Sequence, residues 1–150
     1  MSSSPPENAA ALKTRALRLL ARREHSRQEL AGKLAPHAES VEVLEALLEE
    51  LQARRQLSDD RYAEVRTRLL ARKYGAARIR HELKSKGVAQ AIIEAATPRD
   101  QEIERARAVL ERKYRAAAGS REERARRARF LQGRGFSADI IHRLVLREEE

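Results

Sequence analysis

The densest chemistry in this chain is cationic. Residues 61–86 hold nine cations, Arg61, Arg66, Arg68, Arg72, Lys73, Arg78, Arg80, Lys84 and Lys86, against Glu64 and Glu82, a net charge of +7. A guanidinium presents a planar fork of donors that takes phosphate or carboxylate oxygens two at a time, so such a segment suits an anionic partner. A second cluster, Arg121, Arg124, Arg126, Arg127, Arg129 and Arg134 beside Glu122 and Glu123, repeats the composition further along. The residues expected to meet that partner are the nine of the first cluster with Arg124, Arg127 and Arg134 of the second. A solvated face that only keeps the chain in solution is the competing reading. Aromatic residues are sparse, with 3 Tyr, 2 Phe and no Trp, so stacking on bases is limited and contact with phosphate or carboxylate is the expected mode.

Other chemistries find no constellation. His25, His37, His81 and His142 lie too far apart for a metal pair at helical spacing, and there is no HExxH array and no Cys. Ser stands mostly where helices begin, and no GxSxG elbow occurs. Gly133-Arg134-Gly135 and Lys84-Ser85-Lys86-Gly87 lack the length and spacing of a phosphate-cradling loop and read as helix-ending turns. The expectation is a protein with no catalytic residues, no metal and no cofactor. Glu39, Glu42, Glu45, Glu49 and Glu50 form a cation-free stretch that reads as a solvated helix face, with a second docking surface as the alternative.

The elements that carry these residues are helical. Ser26-Arg27-Gln28-Glu29 and Ser120-Arg121-Glu122-Glu123 have the form of capping boxes, Ser58 precedes two Asp in a first turn, and Ser40 and Ser137 are further starts. Pro36, Gly75, Gly87, Thr97-Pro98, Gly119 and Gly133-Arg134-Gly135 mark stops. Apolar residues between them recur at helical spacing in nine segments, among them Val41, Leu44, Leu47, Leu48 and Leu51 in the third and Tyr62, Val65, Leu69 and Leu70 in the fourth. That spacing sets Arg61, Arg68 and Arg72 on the side of the fourth helix away from Tyr62, Val65 and Leu69. Arg80 and Lys84 stand one turn apart on the fifth.

The chain also repeats itself. A shift of 53 residues lays Leu17, Arg27, Glu29, Leu30 and Lys33 over Leu70, Arg80, Glu82, Leu83 and Lys86; a shift of 48 lays Lys86-Gly87-Val88 over Arg134-Gly135-Phe136 and Ile92-Ile93 over Ile140-Ile141. The expected fold is all-α: three tandem three-helix repeats, near 8–55, 58–97 and 99–147, in one elongated, curved solenoid, with residues 1–7 a disordered tail. Each unit alone has too small a core, which is the physical reason to stack them.

The 150 residues carry 32 Lys+Arg against 23 Asp+Glu, a net charge of +9 with a pI near 10.6. A GC-rich genome also produces Arg- and Ala-rich chains, which accounts for the Arg:Lys ratio but not for the net charge. Residues 1–50 are net −1, residues 51–100 net +6 and residues 101–150 net +4, so the first unit is not where an anion binds. No apolar run approaches the roughly 20 residues of a membrane span. A cytoplasmic monomer with no membrane partner is expected.

Arg22-Arg23-Glu24-His25-Ser26-Arg27-Gln28-Glu29-Leu30 with Lys33-Leu34 resembles the opening signature of the RecX family, bacterial regulators of the RecA recombinase. Leu57-Ser58-Asp59-Asp60-Arg61-Tyr62-Ala63 resembles its second motif, Arg78-Ile79, Glu82-Leu83 and Lys86-Gly87-Val88 its third, and Arg129-Phe130-Leu131 with Arg134-Gly135-Phe136 its last. The four occur in order from about residue 12 to residue 146. The resemblance implies a solenoid of tandem three-helix repeats that binds the RecA filament on single-stranded DNA and suppresses its ATPase and strand exchange, modulating recombinational repair and the SOS response. A direct single-stranded nucleic-acid-binding module with no recombinase target is the alternative. Leu34-Ala35-Pro36-His37-Ala38 departs from the pattern where a Gly-containing turn is expected, and Tyr62 stands in place of the usual Phe.

Overall fold

Five serines begin helices with their own hydroxyls. In a computed structural model describing residues 6–97 and 101–146, Ser26, Ser40, Ser58, Ser120 and Ser137 each accept a hydrogen bond from the backbone N–H three residues on, at 3.1–3.3 Å. The reciprocal half of the capping box is absent from both candidate boxes. Glu29 turns to the Arg23 guanidinium, at 2.7 and 3.0 Å, and Glu123 accepts from the Gly119 N–H at 2.8 Å.

The helices are α1 (Ala9–Arg22), α2 (Arg27–Leu34), α3 (Val41–Ala53), α4 (Asp59–Leu70), α5 (Ala76–Ser85), α6 (Gln90–Ala96), α7 (Glu102–Lys113), α8 (Arg121–Gly133) and α9 (Ala138–Ile141). A π-helical turn, His142–Leu146, continues α9. Among the described residues the only β feature is an isolated bridge between Glu7 and Ala38. The helices pack in threes around three separate cores, centred on Leu30, Leu34, Leu48 and Leu51 in the first unit, Tyr62, Ile79, Leu83 and Ile93 in the second, and Ala106, Leu131, Phe136 and Ile141 in the third. The accessible surface of 9957 Å² exceeds the roughly 7,800 Å² of a compact monomer of this mass, as expected of an elongated stack.

Two joints of the same design lock successive units together. At the first, Ser26, the N-cap of α2, donates its hydroxyl to the carbonyl of Lys86, the C-cap of α5, at 2.8 Å. At the second, Gly75, the N-cap of α5, donates its N–H to the carbonyl of Arg134, the C-cap of α8, at 2.7 Å. A carboxylate then reaches back from the following unit's first helix to cap the same N-terminus: Asp59 accepts from the Arg27 N–H at 2.7 Å, and Glu102 from the Ala76 N–H at 3.0 Å.

These joints explain two glycines. Gly135 has φ +87°, in the left-handed region, and a Cβ on Gly75 would stand 2.4 Å from the Gly135 carbonyl oxygen. Gly75, expected as a stop, is needed for close backbone approach at the start of α5, where it is the N-cap with an ordinary φ of −84°. The first unit departs from the pattern after α2. There α2 runs into a 3₁₀ turn, Ala35–His37, covered by Glu7, whose N–H donates to the His37 carbonyl at 2.8 Å and whose carboxylate pairs with Arg15. Of the expected tail, Glu7 is thus held in place, and residues 1–5 lie outside the described residues.

Three apolar residues read as core face outward instead. Val41 is 70% exposed at the first position of α3, and Val65 and Leu69 are 39% and 50% exposed on α4. The buried face of α4 is Tyr62, Ala63, Thr67 and Leu70. Spacing of four admits either stripe, and the small Ala63 and Thr67 win because α4 lies close against α6.

Candidate functional site

The rotation of α4 rearranges the expected cationic face: Arg61, Arg68 and Arg72 share the outward side with Val65 and Leu69 rather than opposing them. Towards the first unit the cations are neutralised. Arg61 pairs with Glu24 and also donates to the Arg55 carbonyl at 3.0 Å, Arg66 pairs with Glu82 at 2.6 Å, and Arg23 pairs with Glu29 at 2.7 Å. Glu24 and the Arg23–Glu29 and Arg66–Glu82 pairs, with Tyr62, Val65, Leu69 and Lys86, line a cavity of about 300 Å³ between the first two units. Desolvation is the main cause raising the Tyr62 phenol above its ordinary pKa, and the Arg23 guanidinium holds the Glu29 carboxyl below its own. The cavity's three cations, Arg23, Arg66 and Lys86, are matched by three carboxylates, Glu24, Glu29 and Glu82, so it is balanced in charge.

Towards the third unit the cations gather. An open groove of about 760 Å³ runs between α4 and α7, lined by Arg68, Ala71, Arg72, Arg105, Ala108, Glu111, Arg112 and Arg115. Arg68 makes a solvent-exposed pair with Glu64 at 2.9 Å. Among the described residues Arg72, Arg105, Arg112 and Arg115 form no ion pair. Arg105 lies at the base, its Nη1 donating to the carbonyls of Ala71 and Tyr74 at 3.5 and 3.3 Å while its Nε and Nη2 are dry and without a partner. Burial lowers its pKa from the ordinary value, with Glu102 opposing; an arginine remains charged nonetheless. A smaller recess of about 260 Å³ continues the surface, sharing Arg72 and Arg112 and adding Lys73, Lys113, Phe130 and Arg134.

The remaining expected residues divide. Arg78 and Arg134 lie over the Tyr74 ring at 4.9 and 5.4 Å, and Arg127 lies over Tyr114 at 4.7 Å, with an N–H donated to the Ala116 carbonyl. Tyr114 and Phe130 meet edge to face at 5.8 Å, so much of the scarce aromatic surface holds cations, within the third unit at Tyr114 and across to the second where Arg134 lies over Tyr74. Arg124 is half-buried and engaged. Lys84 is exposed on α5, with Arg80 half-buried beside it and Lys86 at the first joint; none of the three lines the α4–α7 groove. Arg68, Arg72 and Lys73 are the expected cations that stand exposed at the grooves, Arg68 paired with Glu64.

Arg105, Arg112, Lys113 and Arg115 were not expected at the site. The α7 segment mixes them with Glu102, Glu104 and Glu111, so its charge density is low. The legible signal was the spacing of seven between Arg105 and Arg112, which puts both on one helix face. Among the described residues no group of three or more His, Asp or Glu could hold a metal ion, and no helix is long and apolar enough to cross a membrane.

Fold and surface define a class: a tandem three-helix-repeat protein whose net positive charge lies on the second and third units. The family descriptions "RecX, first three-helix domain", "second" and "third" match residues 13–51, 58–96 and 100–145. A Regulatory protein RecX of Leptothrix cholodnii is 47% identical over 147 residues, covering 97% of this chain and 92% of that one. Another from Ralstonia nicotianae is 42% identical, covering 93% and 89%. The crystal structure of RecX from Lactobacillus salivarius superposes with a TM-score of 0.77 at 22% identity, covering 93% of this chain and 95% of that one, a likeness of fold. The chain belongs to the RecX family, whose members here carry the name of regulatory proteins.

Proposed function

We propose that this protein binds the RecA filament assembled on single-stranded DNA, lowers its ATPase and strand-exchange activity, and so modulates recombinational repair and the SOS response as a cytoplasmic monomer. The observation that carries the reading is the run of unpaired arginines across two successive repeats. A long cationic surface on an extended scaffold fits a polymeric partner that offers protein and phosphate together, where a compact pocket would fit a small molecule. The protein acts by occupying the filament, with no catalysis of its own.

The test is RecA's DNA-dependent ATPase with this protein added at substoichiometric amounts. Inhibition beyond what sequestration of bare DNA accounts for is expected. Inhibition no greater than that points instead to a direct single-stranded nucleic-acid-binding module. Reversing Arg68, Arg72 and Lys84 to Glu is expected to abolish inhibition with helical circular dichroism retained; since Lys84 lies off the groove, Arg68→Glu with Arg72→Glu alone should reproduce most of the loss.

A further inference from the structure

We propose that the groove between α4 and α7 is a phosphodiester-binding site that grips the backbone of single-stranded DNA, with Arg105 at its base and Arg72, Arg112 and Arg115 on its walls. The site deepens the proposed function and rests on its reading of the basic surface as the partner-binding face.

Three observations select this ligand. The groove's arginines outnumber its one carboxylate, Glu111, and Arg72, Arg105, Arg112 and Arg115 form no ion pair among the described residues, so the site carries uncompensated charge that an anion would offset. Arg105 adds a dry guanidinium with two unpartnered nitrogens, and the field of a poorly solvated cation reaches further than that of a solvated one. Its Nη1 is tied to the Ala71 and Tyr74 carbonyls, so the charge is held in position before any ligand arrives.

The lining also distinguishes phosphate from a protein carboxylate. Apart from Ala71 and Ala108 the groove has no apolar side chain, so it offers none of the anchoring pockets on which protein interfaces depend. The small alanines leave room for a strand's sugar–phosphate backbone to lie close. No aromatic ring lines the groove, so bases are left facing away and recognition is independent of sequence. The cavity between the first and second units differs in charge: Arg23, Arg66 and Lys86 there are matched by Glu24, Glu29 and Glu82, so it has no excess charge to offer an anion.

The probe is fluorescein-labelled oligo-dT, titrated with the full chain over a range of salt. Arg112→Gln with Arg115→Gln is compared with Arg18→Gln with Arg22→Gln, an equal charge loss on exposed positions of the first unit. Removing two phosphate contacts should lower the slope of log K against log salt by about 1.4, a loss of affinity on the order of 20-fold at 0.1 M relative to 1 M salt. The first-unit variant should stay within about twofold of the parent. Equal losses in both variants, or an unchanged slope in the groove variant, overturn the site. Polyglutamate that displaces oligo-dT as well as unlabelled oligo-dT does at matched charge also overturns it, in favour of a carboxylate surface. Arg105→Gln should lower the slope likewise with helicity retained; if that variant unfolds, the wall pair decides. A groove variant that loses slope while the parent leaves RecA's ATPase untouched supports the site and overturns the filament reading; the converse pair of results does the reverse.

Discussion

Leu30, Leu83 and Leu131 hold the same place in three successive units, and each is 0% exposed. Leu83→Ala should therefore cost about 2–5 kcal/mol in urea denaturation, because the removed methyls leave a cavity that small neighbours cannot fill. Leu69→Ala, one of the outward pair on α4, should move stability by no more than about 0.5 kcal/mol. His25 is a second kind of buried residue, at 1% exposure. Its Nδ1 lies 3.0 Å from the Arg23 carbonyl and its Nε2 3.0 Å from the Lys33 ammonium, so Nδ1–H donates and Nε2 accepts, which fixes the neutral tautomer. Burial is the main cause holding its pKa below 6.5, with the Arg23 and Lys33 charges adding to it. The unfolded chain thus takes the proton more readily than the folded one. Its stabilisation is complete above about pH 6.5 and is lost as pH falls below that. An NMR titration should find the His25 ring neutral below pH 6.5, with the denaturation midpoint falling over the same interval. An imidazole that titrates at or above 6.5 contradicts this.

At the scale of elements, the N-termini of α2 and α5, the middle helices of the first two units, are each completed by the unit that follows. Asp59→Ala removes the acceptor of the Arg27 N–H and should cost about 0.5–2 kcal/mol, the range of a lost helix cap. Asp60→Ala removes a carboxylate from the same first turn without that bond, leaving only the dipole term of about 0.3–1 kcal/mol. Equal losses by thermal unfolding would mean that the joint contributes nothing beyond the dipole. Such joints mark where sequence reading stops. The five serine starts were legible because capping is local, and the repeat because Leu30 returns as Leu83 after 53 residues and Ile92-Ile93 as Ile140-Ile141 after 48. Asp59 reads only as a first-turn acid of its own helix, since its partner stands 32 positions away. The face of α4 was misread for a related reason: Val65 and Leu69 match the helical period as well as Ala63 and Thr67 do, and only packing against α6 chooses between them. The basic character of units two and three was plain in the charge count. Which arginines stay unpaired was not, because Glu24 and Glu82 neutralise Arg61 and Arg66 through contacts that the chain order does not display.

Across the whole molecule, three small cores depend on two narrow joints. A unit of about 40 residues buries too little surface to fold alone, so each core borrows stability from its neighbour, and the coupling travels through the backbone contacts at the middle helices. The second joint is the more exacting, since backbone meets backbone there. A methyl at Gly75 would strike the Gly135 carbonyl, which cannot turn aside as a side chain would, whereas a methyl at Gly87 meets the flexible Gln28. Gly75→Ala should therefore weaken the joint by about 1–3 kcal/mol. The loss should be uneven. Amide exchange in α8 and α9 should quicken while that in α1 and α3 stays near the parent's, and the thermal transition should broaden or divide as the third unit melts first. Because α4 and α7 face each other across the same joint, the variant should also loosen the α4–α7 groove and weaken oligo-dT binding with every groove arginine still present. A single sharp transition at an unchanged midpoint would show that the units are held together elsewhere.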